Sequence, residues 1–270
     1  MAILCRNLNL LYVQVPATGC SVVGQILKKQ FDGEDVGRKH DDVPRLLASG
    51  VLSSSEVERL LVVANVRNPF DRLVTYYQRL NGVWIDEYFA FRRRDLERRR
   101  QREGLSEADV EREQQRIERE EKRKRRRVRI IRGIGFNTWV VWAVLRRRLG
   151  DRKPVHSDGP RFLNHLFPML EKVNVVLRQE QLEVGLNAVL QHQGVTGPVH
   201  LPRKNLTPGK RAYTEYYNTF SRRLIEHLYA AELEYMGYTF DGCRITMPMR
   251  WLGSAGTGSG VAAPVPGRES

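Results

Sequence analysis

The chain alternates between short runs that are apolar at all but one position and amphipathic stretches, and this order predicts buried strands with helices packed around them. Three such runs of strand length lie at residues 10–15, 60–66 and 173–177. A strand that is apolar at nearly every position is typical of the interior of a parallel sheet, where both faces are covered. We therefore expect an α/β fold of three layers, with a central parallel sheet between helices.

The first long run leads into a turn of small residues, Pro16–Ser21, and the pattern predicts a helix over about residues 22–29. Such a turn points free backbone N–H groups and the positive end of a helix dipole at one place, which makes an anion site. Gly19 lets a phosphate approach the backbone closely. Side chains of the turn that can add donors are Thr18, Cys20 and Ser21. Many α/β domains begin in this way without a ligand.

The second run is followed by an arginine, a proline turn and an amphipathic helix. Arg67 stands at the carboxyl end of the strand predicted over residues 60–66, and open parallel sheets bind ligands at that edge. Thr75 lies eight residues later, about two helical turns along the predicted helix. It can share an anion with Arg67 only if the turn folds back.

Four stretches, in this order along the chain, resemble motifs of the sulfotransferases that use 3′-phosphoadenosine-5′-phosphosulfate (PAPS). They are Val15–Ser21, Val66–Tyr77, Val173–Leu182 and Leu201–Phe240. The second is the most specific, and the order of all four carries more weight than any one of them. The match is closest to the branch that sulfates carbohydrates. It implies a sulfotransferase fold, related in outline to that of P-loop kinases.

The resemblance implies that PAPS is the co-substrate and that a hydroxyl, on a carbohydrate, accepts the sulfuryl group. The first turn would hold the 5′-phosphosulfate, and Arg67 with Thr75 would hold the 3′-phosphate. Basic residues of the C-terminal loop would add charge. The predicted cofactor-binding residues are Ala17, Thr18, Gly19, Cys20, Ser21, Val22, Arg67, Thr75, Arg203 and Lys204. Nothing in the sequence requires a metal.

The chain departs from the family pattern at residue 17. The family loop begins Pro-Lys, and that lysine binds the bridging or sulfuryl oxygens, but here Ala17 follows Pro16. Either another cation, Arg203 or Lys204, takes its place, or the protein is a catalytically impaired member that binds polyanions. A nucleotide kinase of related fold is disfavoured, because no Gly-Lys-Ser/Thr ends the turn.

His40 is the single histidine between the two phosphate motifs. A loop histidine beside two carboxylates, Asp41 and Asp42, is usually only solvated. The functional alternative is a general base that takes the proton of the acceptor hydroxyl. In the family a base, often His or Glu, comes from this segment, so the resemblance favours His40 in that role.

Composition adds a basic arm to this picture. Of the net charge of +14, eight come from residues 92–132, where 18 Lys and Arg face 10 Asp and Glu. We expect one sulfotransferase domain over 1–250, with a helical insertion at 92–132 and a disordered tail over 251–270. The arm is either a solvated face or a platform for an anionic polymer or membrane surface. No aromatic interleaving favours specific nucleic acid binding.

The remaining patterns bear on the compartment. The three cysteines lack metal-ligand spacing, so a disulfide framework is not expected and a reducing compartment fits. No apolar run approaches the ~18 residues of a membrane span, and a first core strand near residue 8 leaves no room for a signal peptide. Carbohydrate sulfotransferases of the Golgi carry an anchor. We therefore expect a cytoplasmic enzyme, and a Golgi enzyme only if the sequence is a fragment.

Overall fold

The computed structural model describes residues 2–38, 40–150, 166–167, 169–202, 207–244 and 249–252. The strands in these ranges are β1 (Ala2–Cys5), β2 (Leu10–Val13), β3 (Glu34–Val36), β4 (Leu61–Val66), β5 (Val175–Arg178), β6 (Tyr238–Thr239), β7 (Gly242–Cys243) and β8 (Met249–Trp251). The helices are α1 (Cys20–Gln30), α2 (Val43–Ala48), α3 (Ser54–Arg59), α4 (Pro69–Leu80), α5 (Ile85–Glu103), α6 (Glu107–Gly150), α7 (Leu182–His192), α8 (Thr219–Leu228) and α9 (Ala230–Met236).

The main sheet has the order β3-β1-β2-β4-β5-β8. Its centre is parallel, because β2 pairs with β4 and β4 with β5 in the same direction. The outer pairings are antiparallel. The predicted α/β fold with a parallel centre is thus confirmed, and the antiparallel edges are a feature that the sequence did not reveal.

Both faces of this sheet are buried. Tyr12, Val63 and Val175 are register partners on one face, where α1 and α7 pack against them. On the other face Leu11 and Val62 are register partners and are at most 1% exposed. A sheet buried on both sides needs apolar residues at successive positions, which explains the continuous apolar runs of β2, β4 and β5.

The sequence placed the first core strand near residue 8, and this was wrong. The strand β1 precedes it and pairs with both β2 and β3. A run of four residues, Ala-Ile-Leu-Cys, is too short to show a period of its own. The C-terminal boundary also moves, because Trp251 belongs to β8 and not to the expected tail. Residues 253–270 lie outside the described part of the chain.

The chain divides into two compact units. The sheet unit comprises Met1–Pro69, Asp151–Asn205 and Leu228–Ser270, and the helical unit comprises Phe70–Gly150 and Leu206–His227. In the helical unit Phe136 is central to an aromatic cluster, with ring centroids 5.3 Å from Tyr77 and 4.7 Å from Tyr217. These edge-on contacts hold α4, α6 and the segment before α8 together.

The basic arm forms a pair of long helices within the helical unit. Its residues lie in α5 and α6, which are joined across Gly104 in the left-handed conformation. Leu96 and Ile117, two of its few apolar residues, are buried against Phe89. Ion pairs across the two helices add to this, as between Arg92 and Glu113 at 2.9 Å.

Candidate functional site

The turn after β2 is shaped by one buried hydroxyl. Thr18 donates through Oγ1 to the carbonyl of Val15 at 2.8 Å and is fully buried. The Thr18 carbonyl in turn accepts a hydrogen bond from Nδ2 of Asn65, on β4, at 3.1 Å. The hydroxyl that the sequence offered to a phosphate thus fastens the turn, and Asn65 ties this turn to the neighbouring strand.

The helix α1 begins at Cys20, two residues earlier than the pattern predicted. Its N-cap is Gly19, in the left-handed conformation with φ 80°, and no side chain caps the first turn. The left-handed backbone favours glycine here, and a β-carbon would lie a tight 3.1 Å from Cδ2 of Leu182. The turn thus lies at the positive end of the α1 dipole, where the Val22 amide donates to the Gly19 carbonyl at 3.1 Å.

The predicted donors of this turn differ in accessibility. Ser21 is exposed at the start of α1, so its hydroxyl can join the helix amides around an anion. Cys20 and Val22 are buried, and the Cys20 side chain belongs to the core beneath the sheet. Neither of these two side chains can therefore contact a ligand of the turn.

Arg67 lies against the first turn. At the end of β4, its Nη1 donates to the carbonyl of Ala17 at 3.2 Å. Ala17 is itself buried and has a left-handed backbone, with φ 64°. The structure therefore brings together the arginine of the second motif and the turn of the first, as parallel strands ending at one sheet edge should.

Glu180 fixes the turn that follows Arg67. Its carboxylate accepts from the backbone N–H of Asn68 at 2.7 Å and from the hydroxyl of Tyr238 at 2.9 Å. The Asn68 side chain donates to the carbonyl of Thr239 at 3.0 Å. The third and fourth motifs of the resemblance thus meet the second one, which gives Glu180 and Tyr238 a positioning role that the sequence alone did not assign.

A buried arginine contacts the Tyr238 ring of this network. Arg178 is 1% exposed, donates through Nη2 to the carbonyl of Met236 at 2.7 Å, and lies 4.9 Å from the ring centroid of Tyr238. Burial, and next the charge of Glu180, raise the pKa of Tyr238 well above its usual value. The phenol therefore stays protonated and donates to Glu180 throughout the physiological pH range.

Replacing Tyr238 by phenylalanine tests the strength of this link. The ring keeps its place near Arg178, but the hydrogen bond to Glu180 is lost, and we expect the free energy of unfolding to fall by about 1–2 kcal/mol. Denaturant titration measures the change. Tyr76→Phe, half-buried on α4, is the control and should change stability by less than about 0.5 kcal/mol. Equal losses in the two variants would remove the assigned role.

Thr75, the second residue of the predicted 3′-phosphate pair, lies in the helical unit beside a lysine. Its hydroxyl donates to the carbonyl of Asp71 at 3.1 Å and lies 3.2 Å from Nζ of Lys210. Lys210 also bonds the Asp71 carboxylate. The sequence missed Lys210, which is 135 residues from Thr75. Because Arg67 falls in the sheet unit, its joint action with Thr75 stays a prediction.

His40 is held in one orientation by the backbone. Its Nδ1 lies 2.7 Å from the carbonyl oxygen of Gln14, two residues before Pro16. A carbonyl only accepts, so Nδ1 carries the proton, and the neutral ring keeps its lone pair on Nε2. Of the two neighbouring carboxylates, Asp42 caps α2 and Asp41 accepts from the amide of Arg38.

The two predicted basic residues of the C-terminal loop, Arg203 and Lys204, lie outside the described residues. Within the ranges that the structure describes, no group of three or more His, Cys, Asp or Glu side chains could hold a metal ion.

The chain was compared with models of known protein families. The model of the Sulfotransferase family matches residues 1–239. The chain therefore belongs to the sulfotransferase family, whose members move a sulfuryl group from a donor to an acceptor. Searches of curated proteins and of solved structures found no match.

Proposed function

We propose that the protein transfers a sulfuryl group from PAPS to a hydroxyl of a carbohydrate. The contact between Arg67 and the Ala17 carbonyl supports this most strongly, because it joins a fixed cation to an uncapped helix N-terminus. The first amides of α1 and the Ser21 hydroxyl bind the 5′-phosphosulfate. Arg67 binds the 3′-phosphate together with Thr75. Arg203 and Lys204 add positive charge.

The reaction is an in-line displacement at sulfur. The acceptor oxygen forms a bond to the sulfur while the bond from sulfur to the bridging oxygen breaks. The electron pair of that bond remains on the departing 3′-phosphoadenosine-5′-phosphate (PAP). Positioning and electrostatic stabilisation provide most of the catalysis, as they do in phosphoryl transfer.

His40 serves as the general base in this proposal. Its Nδ1–H bond to Gln14 fixes the tautomer, so Nε2 is the atom that takes the proton of the acceptor hydroxyl. The same bond connects the ring to the residue that leads into the turn. The base of one loop is thereby fastened to the segment that forms the donor site.

A second candidate is a protein that binds PAPS or a polyanion but does not transfer the sulfuryl group. The observation in its favour is Ala17, which offers no cation for the bridging oxygen. The retained pair of Arg67 and Thr75 weakens its polyanion form, since a protein that never binds the nucleotide has no use for that pair.

A turnover assay with PAPS labelled in its sulfur tests the proposal. Transfer to a carbohydrate such as desulfated heparan or chondroitin, with release of PAP, is the expected result. We expect His40→Gln to lower kcat at least about 10²-fold with little change in PAP affinity. His200→Gln is the matched control, because His200 is exposed beside Glu183.

Three outcomes separate the candidates. PAP binding with turnover that depends on His40, but not on His200, supports the proposal. PAP binding without turnover on any acceptor supports the second candidate. A protein that binds neither PAP nor PAPS contradicts both.

A further inference from the structure

The helix α6 exposes large apolar side chains close to one another. Ile130 and Ile134 are one helical turn apart and are 56% and 40% exposed. Their neighbour Ile131 points the other way and is buried. Neighbouring exposed apolar side chains are typical of surfaces that bind a protein or a membrane.

Uncompensated positive charge borders the two isoleucines. Residues 122–132 carry eight basic side chains and no acidic one. Lys124 and Arg125 are paired with carboxylates, and Arg132 donates to Asn81. Among the described residues, the other five are exposed and form no ion pair. They are Lys122, Arg123, Arg126, Arg127 and Arg129.

Helical geometry places the charge and the apolar residues on one face. At 100° per residue, Arg123 and Arg127 fall on the same side of α6 as Ile130 and Ile134. Ile117, which packs in the arm, lies about 120° away around the helix. We call Arg123, Arg126, Arg127, Ile130 and Ile134 the basic-apolar strip.

Large apolar side chains are exposed beyond a kink in α6 as well. Gly135 interrupts the helix with φ 72° and ψ 170°. After it Trp142 and Leu145, three residues apart, are 52% and 38% exposed. The guanidinium of Arg146 lies 5.1 Å from the Trp142 ring. Tryptophan with a neighbouring arginine is typical of side chains at a membrane–water interface.

We propose that the basic-apolar strip docks the protein on an anionic membrane surface. Arginines attract acidic lipid headgroups, and isoleucines between them enter the boundary of the acyl chains. A soluble acidic glycan would satisfy the arginines, but it would leave Ile130 and Ile134 in water. This inference does not depend on sulfuryl transfer.

Binding to the surface fits the structure better than crossing the membrane. The sequence predicted no membrane span, yet by length and composition one described helix, Glu107–Arg146, could cross one. Crossing would place Arg129 and Arg132 in hydrocarbon. It would also break the hydrogen bonds of Asn137 to the backbone of Tyr216 and Asn218, at 3.0 and 2.9 Å.

Cosedimentation of the full chain with vesicles tests the inference. We expect binding to phosphatidylcholine vesicles that contain 30% phosphatidylserine, no binding to pure phosphatidylcholine, and weaker binding as salt rises. Arg126→Gln with Arg127→Gln should weaken binding about 25-fold, since each basic residue near an anionic leaflet is worth about fivefold. Ile130→Ser with Ile134→Ser should weaken it at least about tenfold.

The control is Val51→Ser with Val184→Ser, because these valines are exposed aliphatic residues of the sheet unit, 42% and 62% exposed. This variant should bind vesicles like the unmodified chain, and circular dichroism should show all variants folded. Vesicle binding unaffected by the isoleucine variant, with heparin binding lost in the arginine variant, would assign the strip to a soluble polyanion. Protein that resists alkaline extraction from the vesicles would indicate a crossing helix. Either result would overturn the inference.

Discussion

Replacing Ala17 by lysine is expected to raise the rate of PAPS turnover by about 10²–10³-fold, the amount that one oxyanion donor contributes to a transition state. The departing nucleotide gains negative charge on its bridging oxygen as the bond to sulfur breaks. Family members meet that charge with a lysine at this position, and here the side chain is a methyl group.

The backbone at residue 17 can accept the lysine. Ala17 already has φ 64°, which costs a residue with a β-carbon about 1–2 kcal/mol. Lysine has the same β-carbon and adds no new backbone strain. The limiting factor is space, because Ala17 is buried and the longer side chain must leave along the edge of the turn.

Single-turnover release of PAP, with and without acceptor, measures the effect. Ala17→Met is the matched control: it adds similar length without charge and should leave the rate unchanged or lower it. If lysine is neutral or harmful, a cation already serves the bridging oxygen. Arg67 is the described candidate, through its bond to the Ala17 carbonyl, and Arg203 and Lys204 are the others.

The sequence could predict the centre of the fold because burial there is dictated by local pattern. Both faces of β2, β4 and β5 are covered, so these strands are mostly apolar, with Asn65 and Arg178 as buried polar exceptions, and each ends where a polar turn begins. Arg67 directly follows one such strand, so its place at the sheet edge follows from its position in the chain. The capping box of Ser53 and Glu56 at α3 is equally local.

What the sequence could not predict depends on contacts between distant segments. Glu180 reaches the amide of Asn68 across 112 residues, and no local pattern encodes that bond. Lys210 reaches Asp71 and Thr75 in the same way. Charge counting located the basic residues along the chain, but only the fold separates the cations that form ion pairs from those that do not.

The direction of side chains was a further unknown. The sequence suggests Thr18 as a hydrogen-bond donor to a phosphate, because it lies in a turn of small residues. In the structure its hydroxyl instead donates to the Val15 carbonyl. Ser21, three positions on, is exposed. Which side chains of the first helical turn face outward depends on the residue at which the helix begins. The helix α1 begins at Cys20, two residues before the pattern suggested.

Removing the arginine of the second motif is expected to have the next largest effect. Arg67→Ala should weaken PAP binding by about 1.5–3 kcal/mol, the scale of a charge-assisted hydrogen bond. Adenosine 5′-phosphate lacks the 3′-phosphate, so its affinity should fall much less. Isothermal titration with both nucleotides measures the difference, and Arg79→Ala, exposed on α4, is the matched control.

The bond from Arg67 to the Ala17 carbonyl makes this comparison decisive. If Arg67 acts on the 3′-phosphate, PAP loses affinity and adenosine 5′-phosphate largely keeps it. If the arginine instead shapes the first turn, both nucleotides lose affinity equally, because both place a 5′-phosphate there. Thr75→Val separates the cases further. Loss of its hydroxyl should weaken the binding of PAP but not of adenosine 5′-phosphate. In the double variant with Arg67→Ala, the loss of PAP binding free energy should be smaller than the sum of the two single losses, since both side chains would bind one phosphate. Strict additivity of the two losses would contradict the shared 3′-phosphate site.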